Sequence, residues 1–113
     1  MKVQGKQLGK IALIEIEGEV DAEHCAQLKR ALAKAKGEDT QHFILDLNKV
    51  GFIDSTGLGI LISLLRYLNE KGGKLRLTGL QDEVRSIFEI TRLFRVFDIS
   101  KSVEDAMVEI KNS

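Results

Sequence analysis

The hydrophobic pattern of this chain changes period repeatedly, from alternation to helical spacing and back. Residues 1–18 read as two strands with a turn near Gln7-Leu8-Gly9. The second strand is the clearer: Ile14 and Ile16 alternate with Glu15 and Glu17 along residues 11–17, and Gly18 ends the run. A helix follows, with Asp21 as a good N-cap and Gly37 as a good stop. Its Cys25, Leu28, Leu32 and Ala35 share one face, while Lys29, Arg30, Lys34 and Lys36 largely take the others. Residues 42–47 form an apolar run broken only by Asp46, which fits a strand covered on both sides.

Phe52-Ile53 stops abruptly at Asp54-Ser55-Thr56, and an apolar helical pattern then runs over residues 56–71 to Gly72-Gly73. In that helix Leu58, Leu61, Ile62, Leu65 and Leu68 make the core stripe, and Ile60, Leu64 and Tyr67 an adjoining one. The simpler reading of so much apolar surface is a wide core-facing side; the other is an exposed patch beside Ser55 that serves an interface. A short strand over 74–78 ends in Gly79. An amphipathic helix over 80–91 presents Val84, Ile87, Phe88 and Thr91, and a last strand is predicted around Val96-Phe97. Ser102 caps a final helix with Val103, Ala106, Met107 and Ile110 in one stripe.

The order β-β-α-β-α-β-α-β-α predicts a single α/β domain over residues 1–113. The expected sheet is mixed, mostly parallel, of about four to five strands with about four helices. Ligands of open sheets gather at the carboxyl ends of strands. Three polar groups lie there by sequence: Gly18-Glu19-Val20-Asp21, Asp46-Leu47-Asn48 and Asp54-Ser55-Thr56. Their convergence depends on strand order, which the pattern leaves open.

Composition narrows the partners. Lys plus Arg and Asp plus Glu are 17 each, so there is no positive excess of the kind nucleic acid or an anionic membrane selects. Zero net charge gives little protection against self-association, so a monomer or weak dimer is expected. Cys25 is the single cysteine, and residues 1–10 carry no leader-like apolar segment, which makes the cytoplasm the expected location.

Candidate chemistry centres on Ser55. A capping hydroxyl is the plain reading of a Ser at a helix start. Yet Asp54, Ser55 and Thr56 are three candidate caps for one helix. Gly57 and Gly59 follow, each costing the helix about 1 kcal/mol against Ala. These glycines would keep the approach to Ser55 open and let another backbone come close. A phosphoryl group on Ser55 would gain from the helix N-terminus and be repelled by Asp54.

The segment FIDSTGLGILI at 52–62 closely resembles the signature of anti-sigma-factor antagonists, bacterial regulators built on the STAS domain. The resemblance extends to GEVD at 18–21, FILDL at 43–47, GGKLRL at 72–77 and FEITRL at 88–93, in the same order. It implies that Ser55 is phosphorylated by a partner that is both serine kinase and anti-sigma factor, with ATP used by that partner. Unphosphorylated protein would bind the partner and free a sigma factor, and a PP2C-type phosphatase would restore it. Asp21 and Asp54 match acidic positions beside the phosphosite, and Thr56 replaces a commoner second Ser as a minor phosphosite. The implied partner-binding set is Asp21, Asp54, Ser55, Thr56, Gly57, Leu58 and Gly59.

Other readings are weaker. Asp46 and Thr78 would suit a phosphate-accepting receiver, but an acidic pair and a supported Lys are not convincingly placed, so Asp46 is expected to be buried or cap-bonded. His24 and His42 have no Cys or carboxylate at metal-ligand spacing, and both are expected to be structural. No phosphate-cradling loop with a Lys accompanies Gly57 and Gly59, so no cofactor is predicted; the family has been linked to nucleotides, but nothing here selects one. Arg85, Arg92 and Arg95 read as a solvated face. The alternative role within the family is an accessory subunit of a lipid-transport ATP-binding cassette system or a piece of a stress-sensing scaffold.

Overall fold

In the computed structural model, which describes residues 1–112, β1 (Lys2–Leu8) turns through Gly9 and Lys10 into β2 (Ile11–Val20). Then come α1 (Cys25–Ala35), β3 (His42–Ile53), α2 (Ser55–Glu70), β4 (Leu75–Thr78), α3 (Asp82–Ile90), β5 (Asp98–Ser100) and α4 (Val103–Lys111). A 3-10 turn at Leu93–Arg95 joins α3 to β5. The five strands lie in the order β1-β2-β3-β4-β5, with β1 antiparallel to β2 and every other pair parallel. The predicted α/β order, the mixed sheet and the helix number are all observed.

Parallel neighbours require crossovers, and the crossovers lay helices on the sheet. One face carries α1, α2 and α3 over a core of Ile14, Ile16, Phe43, Leu45, Leu77, Leu28, Leu61 and Phe88. Phe88 meets Phe97 edge-on at 5.6 Å between ring centroids. The other face carries α4 alone, with Ala106 and Ile110 packed on Ile11, Leu13 and Ile44. Ser102 caps α4 by accepting from Asp105 N at 3.1 Å, as its sequence implies. Gly73 is fixed by packing, since a Cβ there would lie 2.0 Å from Gln41 O.

Several boundaries differ from the sequence pattern. Gly18 does not end β2; it lies inside it at φ 119° beside a register shift against β3, and the strand continues to Val20. Asp21 does not cap α1, whose cap position is His24; Asp21 opens the turn before it. The strand begun at His42 does not stop at Leu47 but runs to Ile53, absorbing Phe52-Ile53 as its end. Val96 and Phe97 are not strand: Val96 is exposed, Phe97 is buried in the turn, and β5 starts at Asp98. Thr91, just past the end of α3, is exposed, its hydroxyl donating back to Ile87 O at 2.6 Å. The arginines Arg85, Arg92 and Arg95 are solvated as expected.

On α2 the two apolar stripes share the core: Leu61 and Leu68 are buried as predicted, and Ile60 and Leu64 of the adjoining stripe join them. Gly57, Ile60, Leu61, Leu64 and Leu68 are buried, whereas Leu58, Ile62 and Leu65 flank them half-buried. Burial on both sides of the helix supports the wide core-facing surface. Tyr67 sits at its margin, with Lys36 Nζ 4.2 Å and Lys71 Nζ 5.2 Å from its ring centroid.

His42 ties the start of β3 to β4, its Nδ1 accepting from Lys74 N at 3.0 Å. An accepting Nδ1 requires the neutral ring with its proton on Nε2. Burial, followed by the charges of Lys74 and Lys10, lowers the His42 pKa below its usual 6.5. The unfolded chain therefore takes up the proton first as pH falls. The contribution is fully present above the unfolded value and is lost as pH falls through the folded one. Urea unfolding between about pH 7 and about pH 5 should show falling stability, with a smaller fall in His42→Asn, whose Oδ1 can still accept from Lys74. Equal slopes in the two proteins would contradict this account.

Candidate functional site

The carboxyl ends of β2 and β3 lie side by side, with Val20 opposite Ile53 and Asp54 N donating to Val20 O at 3.1 Å. That pairing brings two of the three polar groups together. Asp54, extended at φ −106°, is the N-cap of α2: its Oδ1 accepts from Gly57 N at 2.9 Å, and its carbonyl accepts from Leu58 N at 2.9 Å. Its second oxygen, Oδ2, accepts from Ala22 N at 3.0 Å. One carboxylate thus holds the start of α2 and the turn after β2 at once. Chain spacing could not show this second bond, because its donor is a backbone amide with no side-chain signature.

With the cap supplied by Asp54, Ser55 becomes the first helical residue, exposed, and its hydroxyl makes no hydrogen bond among the described residues. Thr56 beside it is also exposed. The amides of this first turn and the helix dipole make the place favourable to negative charge. Phe52, 44% exposed, stands two residues before the cap, whereas no large apolar side chain of α2 is exposed.

The glycines divide the work differently from the expectation. Gly57 does not keep an approach open: it is buried, and a Cβ on it would lie 2.2 Å from Val20 O and 2.9 Å from Ile53 Cγ1. It lets α2 begin in contact with β2 and β3. Gly59 is the open one, exposed and with nothing within 4 Å of its Cβ position. Leu58 between them is half-buried against the core.

Asp21 lies in the turn that Asp54 holds. Its Oδ1 accepts from His24 N at 3.1 Å and meets His24 Nδ1 at 2.7 Å. Burial pushes the Asp21 carboxyl up, but the hydrogen bonds from His24 and the His24 charge prevail and set it below the usual 3.8. With Glu23, the ligand atoms of Asp21 and His24 all fall within 4.8 Å of one another. His24 therefore does have carboxylates close by, contrary to the expectation from spacing along the chain. Asp46 stands apart: it lies within β3 in register with Glu15 and Thr78, and its Oδ1 accepts from Asn48 N at 3.0 Å. It is half-buried and bonded inside a strand, so it is neither the buried nor the cap-bonded carboxylate expected, and the third polar group does not join the other two.

Fold and site together define a small α/β domain whose second helix presents a free serine at its capped start. The family model for the STAS domain matches residues 2–106, and the chain belongs to that family. An anti-sigma-B factor antagonist of Listeria monocytogenes is 35% identical over 94 residues, spanning 83% of this chain and 82% of its own. An anti-sigma factor antagonist from Mycobacterium paratuberculosis shares the fold with a TM-score of 0.87 at 20% identity, covering 97% of this chain and 93% of its own. SpoIIAA, an anti-sigma factor antagonist, in its unphosphorylated form superimposes with a TM-score of 0.82 at 20% identity, covering 99% of this chain and 98% of its own.

The two helix glycines give opposed expectations. Gly57→Ala should destabilise the fold by about 2 kcal/mol or more, since the contact is with backbone that cannot yield cheaply. Gly59→Ala should stabilise it by up to about 1 kcal/mol through helix propensity alone. Chemical denaturation of both variants checks the pair, and equal shifts would contradict the packing account.

Proposed function

We propose that this protein is a phosphorylation-switched anti-sigma-factor antagonist, with Ser55 as the phosphosite and Thr56 as a minor one. The observation that carries the reading is the unbonded, exposed Ser55 hydroxyl at a helix start already capped by Asp54. A serine needed as the cap would have its oxygen occupied; this one is spare. Membership of the STAS family and the naming of its relatives support the role.

In this reading the unphosphorylated protein binds an anti-sigma factor that is also a serine kinase, and so frees a sigma factor. The docking surface is the exposed start of α2 with the turn beside it: Ser55, Thr56 and Gly59 outward, Phe52 and Leu58 as apolar neighbours, and Asp21 and Asp54 setting the shape. Gly57 contributes by holding the helix start against Val20 rather than by touching the partner. ATP is the partner's substrate and the protein itself performs no catalysis. A phosphate on Ser55 adds close to two negative charges at a surface where Asp54 already stands. Docking would then require desolvating and crowding like charges, which drives the partner off. A PP2C-type phosphatase restores the binding form, and the whole cycle belongs to the cytoplasm.

Ser55→Ala should keep the binding form permanently, and Ser55→Asp should weaken kinase binding at least about tenfold, or about 1.4 kcal/mol. Isothermal titration against the purified kinase/anti-sigma protein measures both. Undiminished affinity of Ser55→Asp would sink the charge switch, and phosphate incorporation into Ser55→Ala at the wild-type rate would sink the site.

A further inference from the structure

Where the last turn of α4 crosses the amino ends of β2 and β3, a groove of about 420 Å³ lies open between that helix and the β1–β2 turn. Its floor is one row across three strands, since Leu8 pairs with Ile11 and Ile11 with His42. Met107 and Ile110 of α4 form the apolar wall, Met107 half-buried. Every titratable residue in the lining is basic: Lys10, His42 and Lys111. Burial, followed by the charges of Lys74 and Lys10, lowers the His42 pKa, so both ammonium groups lie near the ring. The acids of α4 do not balance them. Glu109 is turned to Arg76 of β4 at 3.5 Å, and Glu104 lies about two helical turns before Lys111. Lys111 by itself answers the negative end of the α4 dipole. Lys10 and the Nε2–H of neutral His42 are left over, with no ion pair or acceptor among the described residues.

We propose that this groove binds a free fatty carboxylate, its head at Lys10, Lys111 and the His42 Nε2–H, its chain along Leu8, Ile11 and Met107. A concave apolar slot with a few converging polar groups at one end is the form that small-molecule sites take. The unbranched, rotatable side chain of Met107 suits a wall that must close on a flexible chain. Inorganic phosphate or a nucleotide would use the lysines but leave the apolar floor unused, and no aromatic side chain lines the groove to stack a base. A second copy of this chain meeting itself across the groove would set Lys10 and Lys111 against their own kind. The groove lies at the amino end of β3 and Ser55 follows its carboxyl end, so the inference is independent of the phosphosite.

The test is a titration of isotope-labelled full chain with decanoate, below its micellar range, followed by amide and methionine-methyl shifts. Saturable shifts are expected at Leu8, Ile11, His42 and Met107. Each methylene adds about threefold in affinity, so hexanoate should bind at least about tenfold more weakly. Decyltrimethylammonium, with the same chain and the opposite charge, should also bind at least about tenfold more weakly. The double variant Lys10→Glu, Lys111→Glu alters exposed positions, and a thermal melt establishes that it folds; it should lose about tenfold or more in decanoate affinity. The comparison of ligands on the unmodified chain decides the matter even if that variant does not fold. The proposal is overturned if decyltrimethylammonium binds as tightly as decanoate, or if the decanoate shifts fall outside the groove or do not saturate. It is equally overturned if the groove signals shift on raising the chain's own concentration, or if the chain sediments with phosphatidylglycerol vesicles, which would give the groove to a membrane.

Discussion

The two hydrogen bonds of the Asp54 carboxylate, to Gly57 N and Ala22 N, govern the end of the molecule where function is expected. A carboxylate at a helix start is stabilised by the unpaired amides it meets there and by the helix dipole. Here one of its oxygens goes to its own helix and the other to the turn after the neighbouring strand. Losing it would release two backbone donors and uncouple α2 from that turn. The arrangement is feasible only because β2 and β3 end together, with Val20 opposite Ile53. It also needs Gly57, since a side chain at that position would meet Val20 O before the cap could close. Strand pairing, glycine contact and cap are thus one unit, and Ser55 is free because that unit does the holding.

Much of this was legible in the sequence, for identifiable reasons. The alternation of β2 and the stripes on α1 and α4 are properties of single elements, so periodicity carried them and the fold class followed from their order. The Asp-Ser-Thr-Gly-Leu-Gly run marked the site by its excess of caps and glycines. What escaped depends on contacts between elements. Gly18 looks like a terminator until β2 is seen to continue through it with a register shift. Gly57 and Gly59 look equivalent two residues apart, yet one faces a strand and the other solvent. On α2, apolar residues occur on too many sides for sequence to choose the deepest, and the sheet chose Ile60 and Leu64 over Leu58 and Ile62.

The proposed switch draws a specific consequence from the cap. Were Ser55 the capping residue, phosphorylation would destroy the cap, and the response would be local unfolding of the helix start. Because Asp54 caps instead, a phosphate on Ser55 leaves both Asp54 bonds in place. It finds the amide of Gly57 already taken, and a fixed negative group beside it. The remaining first-turn amides and the helix dipole hold the added charge at the exposed helix start, where the cost is felt by whatever docks there. On this reading the fold is rigid in both states and the information is carried by charge. A rigid switch of this kind loses little stability when modified, so it can be written and erased repeatedly without passing through a loosened form.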